Sequence, residues 1–94
     1  MKESYIYILS NKNRTVLYTG VTADLSKRMQ WHRQGRGSVF CQRYNVNELI
    51  YYELFIDIRI AIRREKEIKG WRREKKLVLI KNKNPKMKNL LEKS

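Results

Sequence analysis

Apolar and polar positions run in short β-like stretches at the start of the chain and recur at helical spacing after it. Tyr5–Leu9 (YIYIL) is β-branched and aromatic throughout, which predicts a strand. Val16–Val21 (VLYTGV) predicts a second, and the polar SNKNRT stretch between them predicts an antiparallel hairpin. With Ser10 and Thr15 flanking a four-residue turn, Leu9 would face Val16, Tyr7 would face Tyr18 and Tyr5 would face Gly20. Side chains alternate between faces, so Tyr7 and Tyr18 would share one. Gly20 would leave an opening beside them.

Thr22 or Asp24 is a suitable N-cap for a helix over Leu25–Arg33. Leu25, Arg28, Met29 and His32 fall on one face of it, at i, i+3, i+4 and i+7. Gly35-Arg36-Gly37-Ser38 reads as a flexible basic loop, and Glu48–Phe55 as a third strand. Asp57 caps a helix over Ile58–Lys69, ending near Gly70, with Ile58, Ala61, Ile62, Glu65 and Ile68 on one face. A last helix, Trp71–Ile80, turns Trp71, Leu77 and Ile80 inward. Asn84-Pro85 ends it, and a frayed basic tail follows. The expected fold is a single α/β domain. A small, mostly antiparallel three-stranded sheet is flanked by helices in the order β-β-α-β-α-α, with a core over residues 4–83 and a tail over 84–94.

Charge sharpens this picture. Twenty-two Lys and Arg stand against nine Asp and Glu, a formal net charge of +13, and the basic residues crowd between Arg59 and Lys88. Such a surface attracts polyanions by counterion release. Simple solubility would also use charge, but at this density a nucleic-acid partner is the better account. A membrane surface is the other polyanion, and the sequence offers no signal segment, no lipidation motif and no apolar run of spanning length. Cys41 is the lone cysteine and has no internal disulfide partner, so the expected location is the cytoplasm. A Cys41–His32 nucleophile pair has no support in the spacing.

Four features ask for one explanation: two tyrosines on one strand face, Arg28 and His32 on one helix face, Glu65 inside an apolar stripe, and basic surroundings. Each has an ordinary reading. The tyrosines could be packing, Arg28 a solvated charge, His32 a satisfied histidine and Glu65 an i,i+4 partner of Lys69. Together they have the parts that phosphodiester cleavage requires. Arg28 can grip a phosphate bidentately. Glu65, an oxygen ligand, suits Mg²⁺ or Mn²⁺ completed by water and substrate phosphate. A tyrosine is a poor base at its ordinary pKa of about 10, and nearby positive charge would lower it.

At these residues the chain resembles the GIY-YIG nucleases. Tyr5-Ile6-Tyr7 and Tyr18-Thr19-Gly20 stand where the two name motifs stand, with Tyr5 in place of Gly and Thr19 in place of Ile. Gly20–Arg28 is similar to the segment leading to the family's arginine, and His32 matches a histidine of many members. Ala61–Glu65 resembles the second helical motif. Ile68-Lys69-Gly70-Trp71-Arg72-Arg73 with Asn84-Pro85 resembles the stand-alone, UPF0213-like bacterial branch. The resemblance spans residues 4–91. It implies Tyr7, Tyr18, Arg28, His32 and Glu65 as catalytic, with one tyrosine, unassigned between the two, as general base. Glu65 would hold one divalent metal, Mg²⁺ or Mn²⁺, and no small-molecule cofactor is called for. Gly20, Arg36, Lys69, Arg72 and Arg73 are the implied substrate contacts. A lone catalytic module of this kind is expected to act on DNA rather than RNA, with weak or structure-directed selectivity, in repair or processing. The competing readings are a non-catalytic nucleic-acid-binding module, using Tyr51 or Tyr52 and the tail, and an accessory to a larger repair protein.

Overall fold

A computed structural model of the chain describes residues 3–91, and the end of the expected tail, residues 92–94, lies outside them. The elements are β1 (Ser4–Ser10), β2 (Leu17–Thr22), α1 (Leu25–Arg33), α2 (Val39–Arg43), β3 (Glu48–Phe55), α3 (Ile58–Lys69) and α4 (Arg73–Lys83). The strands form one antiparallel sheet in the order β2-β1-β3, so the α/β architecture and the main element order are as the sequence implies. The one-turn helix α2 is an addition. Ser38 caps it, its hydroxyl accepting from the Cys41 N–H at 3.1 Å.

The hairpin register differs from expectation. Asn11 Oδ1 accepts from the Thr15 and Val16 N–H groups at 2.9 and 3.0 Å, and Arg14 adopts φ 60°. The loop is therefore longer than a four-residue turn. The ladder moves by two residues: Tyr7 opposes Gly20 and Leu9 opposes Tyr18. An even shift preserves face, so both tyrosines stay on one side, now diagonal rather than opposite.

Each face of the sheet carries its own core. Ile6, Ile8, Ile50, Tyr51, Ala61, Ile68 and Ile80 pack between the sheet and the α3–α4 layer. Ile50 and Tyr51 both reach this core because the β1–β3 ladder skips Ile50 between the pairs Ile8–Tyr51 and Leu9–Leu49. On the other face, Tyr7, Leu9, Met29, Cys41, Val46 and Leu49 pack under α1 and α2. Among the described residues no helix is long and apolar enough to cross a membrane.

Three expectations are corrected. The inward face of α3 is Ala61, Arg64, Glu65 and Ile68, while Ile58 and Ile62 are exposed. The cause is Arg64, whose guanidinium donates to Glu53 Oε1 and Oε2 on β3 at 3.0 and 3.1 Å and so holds that face toward the sheet. The last helix begins at Arg73, leaving Trp71 ahead of it between Arg64 and Lys75. Residues 84–91 are not frayed. Buried Asn84 donates to the Ile50 carbonyl at 2.9 Å and the Lys88 carbonyl at 2.8 Å, and the Leu90 N–H donates to the Leu49 carbonyl at 2.7 Å. The segment thus covers the open edge of β3.

Candidate active site

The site forms where α1 crosses the first two strands. Asp24 caps α1, its carboxylate accepting from the Lys27 N–H at 3.0 Å, and the Thr22 hydroxyl accepts from the Asp24 N–H at 3.1 Å. This fixes the helical phase, so Met29 and His32 point down onto the sheet and Arg28 sits half-buried beside them. The helix ends in a Schellman motif: Arg36 N–H donates to the Trp31 carbonyl at 2.8 Å and Gly35 N–H to the His32 carbonyl at 3.2 Å. Gly35 takes the φ of +73° that this ending requires. The first two residues of the expected loop, Gly35 and Arg36, therefore close the helix.

Tyr7, Tyr18 and His32 form a triangle of rings with centroid separations of 6.5, 6.1 and 6.3 Å. Two of the rings are seated against glycines. A Cβ on Gly20 would lie 2.4 Å from Tyr7 Cζ, and a Cβ on Gly37 would lie 2.2 Å from His32 Nδ1. The opening expected at Gly20 is thus filled by the Tyr7 phenol. Because β2 is an edge strand, that phenol lies over the sheet margin.

Glu65 belongs to the layer on the opposite face, on α3, which lies against β1 and β2 as well as β3. Arg64 on the same helix leans to β3. The negative charge of Glu65 adds a minor share to the rise in the Tyr7 pKa. The acidic side chain is 13% exposed and meets Lys69 Nζ at 2.7 Å, so the ordinary i,i+4 pair is present as well.

Burial is the main force on the titratable groups. It pushes the Tyr7 phenol well above its ordinary value, with Tyr18, Cys41 and Glu65 adding to the rise and Arg28 opposing it. The expected lowering by basic surroundings is therefore overturned for Tyr7, which stays protonated. Burial, then Arg28, lowers the His32 pKa below its ordinary 6.5. Its imidazole is neutral at neutral pH, and among the described residues neither ring nitrogen has a hydrogen-bond partner. A neutral imidazole without a partner has a lone pair free to accept a proton.

Among the described residues no group of three or more His, Cys, Asp or Glu could hold a metal ion. Among the described residues Glu65 is the acidic ligand on offer, and the Lys69 ammonium marks where a cation is favoured. One carboxylate fits a hard ion that completes its shell with waters and substrate oxygens, Mg²⁺ or Mn²⁺, and does not fit zinc.

The implied substrate contacts separate in space. Arg36 is exposed beside the site. Lys69 is occupied by Glu65, and Arg72 is the N-cap residue of α4 without a side-chain bond. Arg73 donates to the Arg14 and Thr15 carbonyls at 2.5 and 3.2 Å, tying α4 to the hairpin loop. Much of the densely basic segment builds the α3–α4 layer, whereas Lys27, Arg28, Arg33 and Arg43 stand on the helices that cover the tyrosine face. Gly37 and Phe40 were not anticipated. Phe40 stacks on Tyr18 at 6.2 Å with an interplanar angle of 27°. The signals were Ser38 as a cap and the i,i+4 spacing of Phe40 and Tyr44.

Comparison with known proteins gives a consistent picture. The GIY-YIG catalytic domain family matches residues 3–78. A UPF0213 protein of Staphylococcus saprophyticus is 40% identical over 80 residues, covering 85% of this chain and 96% of that protein. A UPF0213 protein of Clostridium perfringens is 40% identical over 86 residues, covering 92% and 91%. The solution structure of a UPF0213 protein from Bacillus halodurans superposes with a TM-score of 0.60 at 30% identity, covering 98% of this chain and 97% of that one.

Proposed function

Since the chain belongs to the GIY-YIG catalytic-domain family, we propose that it is a metal-dependent endonuclease that hydrolyses DNA phosphodiester bonds with weak or structure-directed selectivity. We further infer a cytoplasmic role in DNA processing or repair. The observation that carries the reading is the meeting of Tyr7, Tyr18 and His32 at the sheet margin, with Arg28 half-buried on the same helix as His32.

Each group has a part that its surroundings suit. Arg28 neutralises charge on the non-bridging phosphate oxygens. Tyr7, held protonated by burial, donates a hydrogen bond to phosphate or water. Half-buried Tyr18 faces solvent on the edge strand and orients the attacking water. Neutral His32 takes the proton, directly or through the Tyr18 hydroxyl. Glu65 would hold one Mg²⁺ or Mn²⁺, which when bound stabilises charge on the leaving oxygen.

The test is a nicking assay on plasmid, single-stranded and branched DNA with Mg²⁺ or Mn²⁺. Glu65→Ala and Arg28→Ala should each lower the rate by at least about a hundredfold with the fold intact. DNA binding that is salt-sensitive but indifferent to chelator and to Glu65→Ala, with no cleavage, would leave only the binding-module reading.

A further inference from the structure

From Tyr18 outward, α2 carries aromatic surface that the reaction described above does not use. Tyr18 stacks on Phe40, and Phe40 meets Tyr44 at 4.9 Å with an interplanar angle of 50°. The Arg43 guanidinium lies 5.8 Å from the Tyr44 ring centroid. Val39, Phe40 and Tyr44 are 81%, 43% and 46% exposed on a helix of one turn. Cys41, on the same turn, supplies the buried anchor. This turn and its C-cap residue Tyr44 thus anchor one side chain and leave three large apolar ones facing outward.

We propose that Phe40 and Tyr44 form a stacking platform for one unpaired nucleobase beside the scissile phosphate, so that the preferred substrate is a strand with an unstacked nucleotide at that position. The proposal rests on the nuclease reading and names its substrate class. Charge complementarity selects the occupant. Arg43 lies against the platform, in a chain of net charge +13, and would follow a phosphodiester backbone while the rings take a base. Continuity selects the position, since the platform begins at Tyr18 itself. Energetics select the substrate. Stacking a base on an aromatic ring tightens binding by about fivefold or more, while pulling a base out of a duplex costs at least as much as that gain. A paired base therefore forfeits the gain and an unpaired base keeps it.

The experiment measures binding of the full chain in chelator, so that no cleavage is needed. The probes are oligonucleotides with 2-aminopurine in a single strand, at a one-base bulge, or in a continuous duplex. We expect fluorescence quenching on the first two only. Tyr44→Ala and Phe40→Leu should each weaken those two by about fivefold or more and leave duplex binding and thermal unfolding unchanged. Tyr44→Trp, which keeps a ring, should retain the quenching. Equal binding to all three probes, or wild-type quenching in both Tyr44→Ala and Phe40→Leu, would overturn the platform. Nicking without this preference would sink the platform and spare the nuclease. Quenching without nicking would do the reverse.

Discussion

The Tyr7 phenol occupies the space that a side chain at Gly20 would take across the β1–β2 ladder. The glycine is thus a seat for a ring, and its backbone, in an ordinary strand, has no need of glycine's freedom. Gly20→Ala would place a methyl 2.4 Å from Tyr7 Cζ and push the ring out of the triangle. Overpacking of this kind costs about 1–3 kcal/mol, and nicking should fall with it. On a Tyr7→Ala background the same change should cost nothing and can stabilise, since Ala outranks Gly in a strand by about 0.5–1 kcal/mol. Denaturant unfolding of the four proteins decides it. An equal loss on both backgrounds would mean that the ring is not what the glycine accommodates.

Tyr7 is 2% exposed and its phenol is raised by burial. Removing the hydroxyl while keeping the ring separates filling from chemistry. Tyr7→Phe should unfold within about 1 kcal/mol of the parent, yet lose at least about tenfold in rate, equivalent to about 1.4 kcal/mol in the barrier. Because the hydroxyl stays protonated across the neutral range, the loss should be uniform and the pH–rate profile should keep its shape. A displaced basic limb in Tyr7→Phe would show that the phenol titrates in the working range after all.

Much of this arrangement is legible in the sequence, for identifiable reasons. The Leu25, Arg28, Met29 and His32 stripe falls on one face because Asp24 sets the start of α1, and period and cap agree there. Face parity of Tyr7 and Tyr18 survives a wrong register because strands repeat every two residues. The register itself was hidden in Asn11, whose side chain builds the loop without any turn dipeptide to announce it. The phase of α3 is not legible in the sequence, because Arg64 has the look of a solvent residue and its partner Glu53 stands on another element. Glu65 stands on α3, across the sheet from the tyrosine face, a placement that topology sets and residue spacing does not carry. The tail reads as frayed in sequence because its anchor, Asn84, looks like a terminator there and acts as a buried clamp in the fold.

The Glu65–Lys69 pair makes a prediction about metal binding that needs no substrate. A divalent ion at Glu65 must compete with the Lys69 ammonium, 2.7 Å away. The lysine is half-exposed, so the competition is modest, in the range of about 0.2–1 kcal/mol for solvent-screened pairs. Lys69→Met should therefore tighten Mn²⁺ binding by about two- to fivefold in calorimetry. Glu65→Gln should abolish it. Weaker binding in Lys69→Met would mean that the lysine assists the site rather than competing with the ion.

His32 predicts how stability and activity depend on pH. Burial first, and Arg28 second, hold its pKa below 6.5 in the fold. Above 6.5 the imidazole is neutral in folded and unfolded chains alike, so it adds no slope. Between 6.5 and the lower folded value, the unfolded chain binds a proton that the fold excludes, and stability must fall as pH falls. Below the folded value both forms are protonated and the loss is complete. Glu53 does not blur this window. Burial alone would raise it, but hydrogen bonds from Arg64 and Tyr51 keep it below 4.5, so its contribution is lost only at more acid pH. Urea titrations from about pH 7.5 to about pH 5 should show the decline in the parent and a flatter profile in His32→Gln. If neutral His32 takes the proton in catalysis, the acid limb of the nicking rate should also lie below 6.5 and disappear in the Gln variant. A limb that persists in His32→Gln assigns the proton to another group, and an unchanged urea profile removes the burial argument on which the assignment stands.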